Sequence, residues 1–168
     1  MNARKMSLIS ACPLLLAIAG LILAPLAALA HEGKDGQYII KAVPGNTGVR
    51  MAVIEQGTEP GVGPPWHLHT REDEVFYIIE GTIQFWRGTE TFVRSAGAVE
   101  VLPRGIPHTF KNVGKTRARV LFTLLPDGLE KFFELRNQYA LDPAEIDALA
   151  KTYGLTYIGP APAPNKAP

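Results

Sequence analysis

The chain has 168 residues, a length typical of one domain, with 46% apolar residues, 20% charged residues and a formal net charge of +1. This balanced charge offers no basic surface to a nucleic acid or an anionic membrane, so we expect neither as a partner. The single cysteine, Cys12, excludes an intrachain disulfide.

The first thirty residues form an apolar leader. Two basic residues near its start are followed by an uncharged stretch that ends on Ala28-Leu29-Ala30, small residues with the spacing of a signal-peptide cleavage site. The pattern predicts a Sec-type signal peptide over residues 1–30, cleaved after Ala30, and a periplasmic or secreted protein. The alternative is an uncleaved membrane anchor, because the uncharged stretch is long enough to span a bilayer.

Removal of this leader changes the inventory of charged and reactive groups. The 17 basic residues fall to 15 against 16 acidic ones, which gives a net charge of −1, and Cys12 is lost. The mature protein then has no thiol chemistry and no membrane contact. Its stability must come from the core and not from disulfides.

Short segments rich in β-branched and aromatic residues follow, separated by Gly, Pro and Asn. Their close, regular spacing predicts an antiparallel sandwich or barrel. Segment 74–79 is apolar on both faces after its first residue, so we expect cover from the barrel interior and from a second sheet or a partner subunit, and we expect a homodimer. The predicted strands are 38–43, 48–54, 66–69, 74–79, 82–86, 90–94, 98–102, 108–112 and 118–125.

After Pro126 the apolar period becomes helical, and residues 127–158 are predicted to be a C-terminal helical extension. A first short helix begins near Leu129. Asp142-Pro143-Ala144-Glu145 predicts the start of a second, with Asp at the N-cap and Glu three residues later. Residues 159–168 are rich in Pro and Ala, which is typical of a disordered tail.

Three histidines and one glutamate carry the chemistry. His67 and His69 are two residues apart, so on a strand they project from the same face, and a short turn returns Glu74 beside them. His108 follows a turn some forty residues later, and it joins them only if the fold closes. Three imidazoles and one carboxylate suit Fe, Mn, Co, Ni, Cu or Zn and leave positions open for water, dioxygen or substrate.

Each of these signals also has a plain structural interpretation. A lone His-x-His pattern occurs by accident on surface strands. The acidic residues at positions 72–74 and 80 are equally explained as solvated turn charges, and Asn112 as a turn residue at a strand end.

The complete spacing pattern is far more specific, and over residues 45–125 it resembles the cupin superfamily of small single-domain proteins. The resemblance implies an all-β, jelly-roll-like antiparallel barrel over residues 31–126, with short C-terminal α-helices. It also implies one divalent metal ion (Cu, Zn, Fe, Mn or Ni) held by His67, His69, Glu74 and His108. The matching positions are Gly61, His67, His69, Glu74 and Gly81 in the first motif, and Gly97, Pro103, Gly105, His108 and Asn112 in the second.

The C-terminal part looks like the tail of small quercetin-dioxygenase-like cupins. We therefore expect an exported metal-dependent dioxygenase of a small aromatic or enol-type compound, with Glu74 as ligand and catalytic base. Strand alternation places Phe76 and Phe110 in the substrate pocket and Trp66 at its mouth, although aromatic residues are also ordinary core. The alternatives are a non-catalytic binding or metal-holding protein and a sugar or keto-acid isomerase.

Overall fold

A computed structural model of the protein describes residues 37–43 and 48–163. The predicted signal peptide, residues 1–30, and the last five residues of the predicted tail lie outside these ranges. Within them, no helix has both the length and the hydropathy needed to cross a membrane.

The described residues form ten strands and two helices, arranged as a jelly-roll-like pair of antiparallel sheets. The predicted all-β class with short C-terminal helices is confirmed, although two facing sheets replace a closed barrel. In chain order the elements are β1 (Tyr38–Ala42), β2 (Ala52–Thr58), β3 (Trp66–His69), β4 (Asp73–Glu80), β5 (Thr82–Arg87), β6 (Glu90–Ser95), β7 (Val99–Leu102), β8 (His108–Asn112), β9 (Ala118–Leu125), α1 (Glu130–Gln138), α2 (Pro143–Thr152) and β10 (Leu155–Gly159).

Strand order explains how distant parts of the chain meet. The first sheet has the order β1-β2-β9-β4-β7, and the second has the order β10-β3-β8-β5-β6. Strand β3 pairs with β8 and β10, so the two histidine segments become neighbours. Strand β4, which carries Glu74, belongs to the opposite sheet.

An aromatic cluster fills the space between the sheets. The ring of Phe76, on β4, lies 5.5 Å from Phe85 and 5.1 Å from Phe110, both on the second sheet, and 5.3 Å from Phe122 on β9. Each is at most 4% exposed. Burial of such side chains contributes roughly 1.5–3 kcal/mol apiece, so this cluster is a main source of the fold's stability.

One strand has different bounds in the structure from those predicted from the sequence. Strand β2 covers 52–58 instead of 48–54 because residues 55–57, Glu-Gln-Gly, pair with β9 despite their weak strand propensity. A Cβ atom at Gly57 would lie 2.2 Å from the guanidinium of Arg117, so a larger residue there requires that side chain to move.

The C-terminal extension closes one side of the sandwich. Helix α1 packs Phe133 on Tyr38 of β1, with ring centroids 4.1 Å apart. Helix α2 has the predicted capping box between Asp142 and Glu145. The chain then enters β10, a strand absent from the sequence prediction, which pairs with β3. The segment after β10 is also held by a hydrogen bond, which the Lys111 ammonium donates to the carbonyl of Pro162.

Candidate metal centre

Four side chains converge between the two sheets. On β3, His67 and His69 point inward on alternate positions, and His67 lies directly opposite His108 of β8. Glu74 enters from the other sheet, after the turn that joins β3 to β4. The structure therefore brings together all four residues that the sequence analysis proposes as ligands.

The donor atoms form a compact, dry group. One nitrogen from each imidazole and one carboxylate oxygen all lie within 4.8 Å of one another. Nε2 of His69 lies 3.7 Å from Oε1 of Glu74, and Nε2 of His108 lies 3.4 Å from Oε2. Exposure is 0% for His108, 1% for His69, 4% for Glu74 and 6% for His67.

Backbone carbonyls orient two of the three rings. Nδ1 of His67 lies 2.7 Å from the carbonyl oxygen of Pro65, and Nδ1 of His108 lies 2.9 Å from that of Ile106. A neutral imidazole carries one N–H, so donation from Nδ1 leaves the lone pair of Nε2 facing the centre.

The charges in the cluster follow from its burial. Burial lowers the pKa of His67 to about 3, helped by its closeness to His69 and His108. Burial raises the pKa of Glu74, but the neighbouring His69 and His108 outweigh it and bring that pKa to about 2. At neutral pH the cluster therefore offers a neutral imidazole at His67 and an ionised carboxylate, the forms that bind a metal.

The residues fit a single metal ion. Nε2 of His69 and of His108 have no hydrogen-bond partner although they are buried, and an ion would satisfy them. Donors about 2.0–2.2 Å from a common ion lie about 3–4 Å apart, so the widest spacing in the cluster, up to 4.8 Å, would shorten by about 0.8 Å when an ion binds. The cluster is compatible with one metal ion held by three nitrogens and one oxygen.

Motif residues outside the ligand set hold the loops in place. The amide of Gly105 donates to the carbonyl of His69, and Arg104 binds the carboxylate of Asp73 through its backbone and its guanidinium. Asn112 is fully buried, and its side-chain amide donates to the carbonyls of Thr58 and Thr116. Asn112 is therefore a clamp between strands and not a simple turn residue.

A cavity of about 30 Å³ opens beside the cluster, and His67, His69 and Glu74 line it. Of the predicted pocket residues, Phe76 and Phe110 line it. Trp66 does not, because it precedes His67 on β3 and so faces the other side of the sheet. The remaining lining residues are Tyr38, Gln56, Pro64, Phe122, Phe133, Leu155 and Tyr157.

Three polar residues of this wall escaped the sequence analysis. Tyr38 comes from β1, Gln56 from β2 and Tyr157 from β10, and none lies in a motif. Burial raises the pKa of Tyr157 to about 12, so its hydroxyl keeps its proton. The sequence does contain a signal for the strand that carries Tyr157: the alternating segment Leu155-Thr-Tyr157 follows a glycine, a pattern typical of a strand.

Comparison with known proteins places this site in a family. A family model described as "Cupin domain" matches residues 55–124, which include all four clustered residues. A germin-like protein subfamily 2 member 2 from Arabidopsis thaliana is 32% identical over 68% of this chain and 55% of its own length. A polyketide synthase CurC from Streptomyces cyaneus is 34% identical over 40% of this chain and 44% of its own length.

Among solved structures, the cupin domain of Cnp3 from Schizosaccharomyces pombe is 23% identical, with a TM-score of 0.49 over 63% of this chain and 73% of that one. The chain spans about half the length of each of these two relatives. The match of residues 55–124, the two motifs and the paired sheets agree, and this part of the chain is a cupin domain.

Proposed function

We propose that this chain is an exported metal-dependent oxidoreductase, a dioxygenase that acts on a small aromatic or enol-type compound. One observation carries the proposal: a buried cluster of three imidazoles and one carboxylate contributes His67, His69 and Glu74 to the wall of a cavity whose other walls are mainly aromatic. Four protein ligands leave open positions on an ion that prefers five or six.

His67, His69, Glu74 and His108 would hold the ion. A divalent transition metal there would supply Lewis acidity toward oxygen atoms of the compound and a binding position for dioxygen. Glu74, kept ionised by its imidazole neighbours, is placed to accept the proton of an enol or phenol hydroxyl. The apolar walls exclude water from the compound.

The size of the cavity restricts the substrate. A single water needs roughly 10–15 Å³ on the scale used for such cavities, so a cavity of about 30 Å³ is small. A compound with few heavy atoms, such as an enediol, a β-diketone or oxalate, suits it better than a flavonol does. Tyr38, Gln56 and Tyr157 would hydrogen-bond the oxygen atoms that do not face the metal.

Oxygen uptake is the direct test. Metal-free protein is reloaded in turn with Cu, Zn, Fe, Mn or Ni and mixed with β-diketones, enediols, oxalate and flavonols. We expect dioxygen consumption with at least one metal and one small compound, and none with the flavonols. If the protein binds a metal tightly but turns over no compound with any metal, it is a metal-holding cupin and the oxidoreductase proposal is wrong.

Export decides which metal is loaded. A Sec-type leader implies folding outside the cytosol, where intrinsic affinity favours Cu or Zn over Mn or Fe. Elemental analysis of the protein recovered from its native compartment tests the identity of the metal, and its N-terminal sequence tests the cleavage of the leader. Iron or manganese as the main metal, or a protein that keeps residues 1–30, contradicts them.

A further inference from the structure

Glu72 is a buried carboxyl group without a hydrogen-bonding partner on one of its oxygens. The residue is 2% exposed, and its Oε2 makes no hydrogen bond. A buried polar group left unpaired is costly, so such a group usually has a structural or chemical role. Glu72 is outside the proposed ligand set, and the proposed chemistry gives it no role.

The atom that Glu72 faces is the free nitrogen of a proposed ligand. Oε2 of Glu72 lies 3.9 Å from Nδ1 of His69, and that Nδ1 is also buried and without a partner. His67 and His108 differ, because backbone carbonyls of Pro65 and Ile106 hold their Nδ1 atoms. Among the three rings, only His69 faces a side chain at this position.

The turn that carries Glu72 is fixed to the C-terminal extension. The backbone N–H and the hydroxyl of Thr70 both donate to the carbonyl of Gly154, at 2.9 and 3.1 Å, and the Arg71 guanidinium donates to the carbonyl of Thr152. These contacts hold residues 70–71 at the surface while Glu72 points inward. The orientation of Glu72 is therefore built into the fold.

We propose that Glu72 is the positioning residue of His69: its carboxyl group accepts a hydrogen bond from the Nδ1–H of His69 when Nε2 binds the metal. The proposal rests on the proposed metal centre. Metal binding at Nε2 requires the ring proton on Nδ1, and that proton needs an acceptor in a dry site. A separation of 3.9 Å is longer than a hydrogen bond, so a small rotation of either side chain closes the contact as the ion binds.

In this arrangement the side chain of Glu72 sets how strongly His69 donates its Nε2 lone pair to the metal. A carboxylate acceptor increases the basicity of an imidazole more than a neutral carbonyl does, and it fixes the ring orientation. Removal of such a partner typically lowers metal affinity by about 10–100-fold.

The test compares Glu72→Leu and Glu72→Gln with the unaltered protein. Zn²⁺ affinity is measured by competition with a chelating dye, and the tautomer of His69 by ¹⁵N NMR of the zinc-loaded protein. We expect Glu72→Leu to bind Zn²⁺ about 10–100-fold more weakly. Glu72→Gln, whose amide oxygen still accepts a hydrogen bond, should lose less affinity than Glu72→Leu. The Nδ1–H signal of His69 should shift in both variants.

Glu130 provides the matched control. It is also a buried carboxylate, 3% exposed, and it accepts from the amide of Gly128, which borders Glu72. Glu130→Gln should leave Zn²⁺ affinity unchanged. The metal-free Glu72→Leu protein should be as thermally stable as the unaltered one or more so, because an apolar side chain replaces an unpaired buried carboxyl group.

The outcomes separate this inference from the proposed metal centre. If the unaltered protein binds no Zn²⁺, the metal centre itself is wrong. If it binds Zn²⁺, and Glu72→Leu has the same affinity and the same His69 signal, only the role of Glu72 is overturned.

Discussion

At the scale of single residues, the centre depends on one carboxylate surrounded by imidazoles. Glu74 lies 3.4 Å from His108 and 3.7 Å from His69, and it is the only carboxylate in the described cluster of four. It comes from the sheet opposite the three histidines. Glu74 therefore links the two sheets at the site as well as supplying negative charge.

Glu74→Gln should abolish tight metal binding. The amide is a poor metal ligand and carries no charge to balance a dication. We therefore expect Zn²⁺ affinity to fall by at least about 100-fold, more than it falls when a hydrogen-bond partner of a ligand, such as Glu72, is removed. Competition with a chelating dye measures the Zn²⁺ affinity. The control is Glu80→Gln, on the same strand but exposed and paired with Arg119. Equal affinity of Glu74→Gln and the unaltered protein would remove Glu74 from the ligand set.

Tyr157→Phe should affect substrate binding more than turnover. Its hydroxyl keeps its proton, faces the cavity and is placed to donate to the substrate. Loss of one such hydrogen bond costs about 1 kcal/mol, so KM should rise about fivefold with little change in kcat. Tyr139→Phe, at an exposed position, is the matched control. An unchanged KM for Tyr157→Phe would exclude this contact.

At the scale of elements, an ion-pair network joins three strands on the outer face of the first sheet. Glu55 of β2 accepts from Lys41 of β1 at 2.8 Å and from Arg119 of β9 at 2.7 Å. Burial raises the pKa of Glu55, but these two cations outweigh it and hold the pKa below 4.5. The folded state therefore favours the ionised carboxylate.

Acid should weaken this network in a predictable direction. Because the folded pKa of Glu55 is depressed, its stabilisation is fully present above pH 4.5 and is lost as the pH falls below that value. Glu55→Gln should lower the free energy of unfolding at pH 7 by roughly 1 kcal/mol and by less at pH 3. Urea unfolding at the two pH values measures this, with Glu134→Gln as control. An equal loss at both pH values would contradict the assignment.

At the scale of the whole molecule, the outer face of the first sheet has an uncovered apolar strip. Tyr77, Val99 and Val101 are 44%, 58% and 44% exposed, and they lie side by side on paired strands. Ion pairs border the strip on both sides, Glu55–Arg119 on one and Asp73–Arg104 on the other. Both signs of charge are present, so the surface can complement a second copy of itself.

We therefore propose that a second copy of this chain covers the strip. Tyr77→Lys combined with Val99→Lys should convert a dimer into a monomer, because like charges would meet in an apolar interface. Light scattering of the unaltered protein and the variant measures this. Val93→Lys, at 51% exposure on the other sheet, should leave the dimer intact. A monomeric unaltered protein would overturn the proposal.

Sequence by itself determined the ligand candidates and most strands. Spacing and strand alternation are local properties, so His67, His69, Glu74 and the capping box at Asp142 were visible without a structure. His108 also matched by position within its motif. The cavity wall was different: Trp66, placed there by sequence, lies on the opposite face of β3 from His67.

Only the tertiary structure decided which residues complete the site. Tyr38 and Tyr157 lie on the edge strands β1 and β10, and Gln56 lies on β2, next to β1. All three reach the cavity through strand pairing, and pairing between distant segments leaves no local pattern. The same holds for Glu72. In sequence it is one of three consecutive acidic residues, and its role depends on burial beside His69, which contacts with the distant Gly154 and Thr152 enforce.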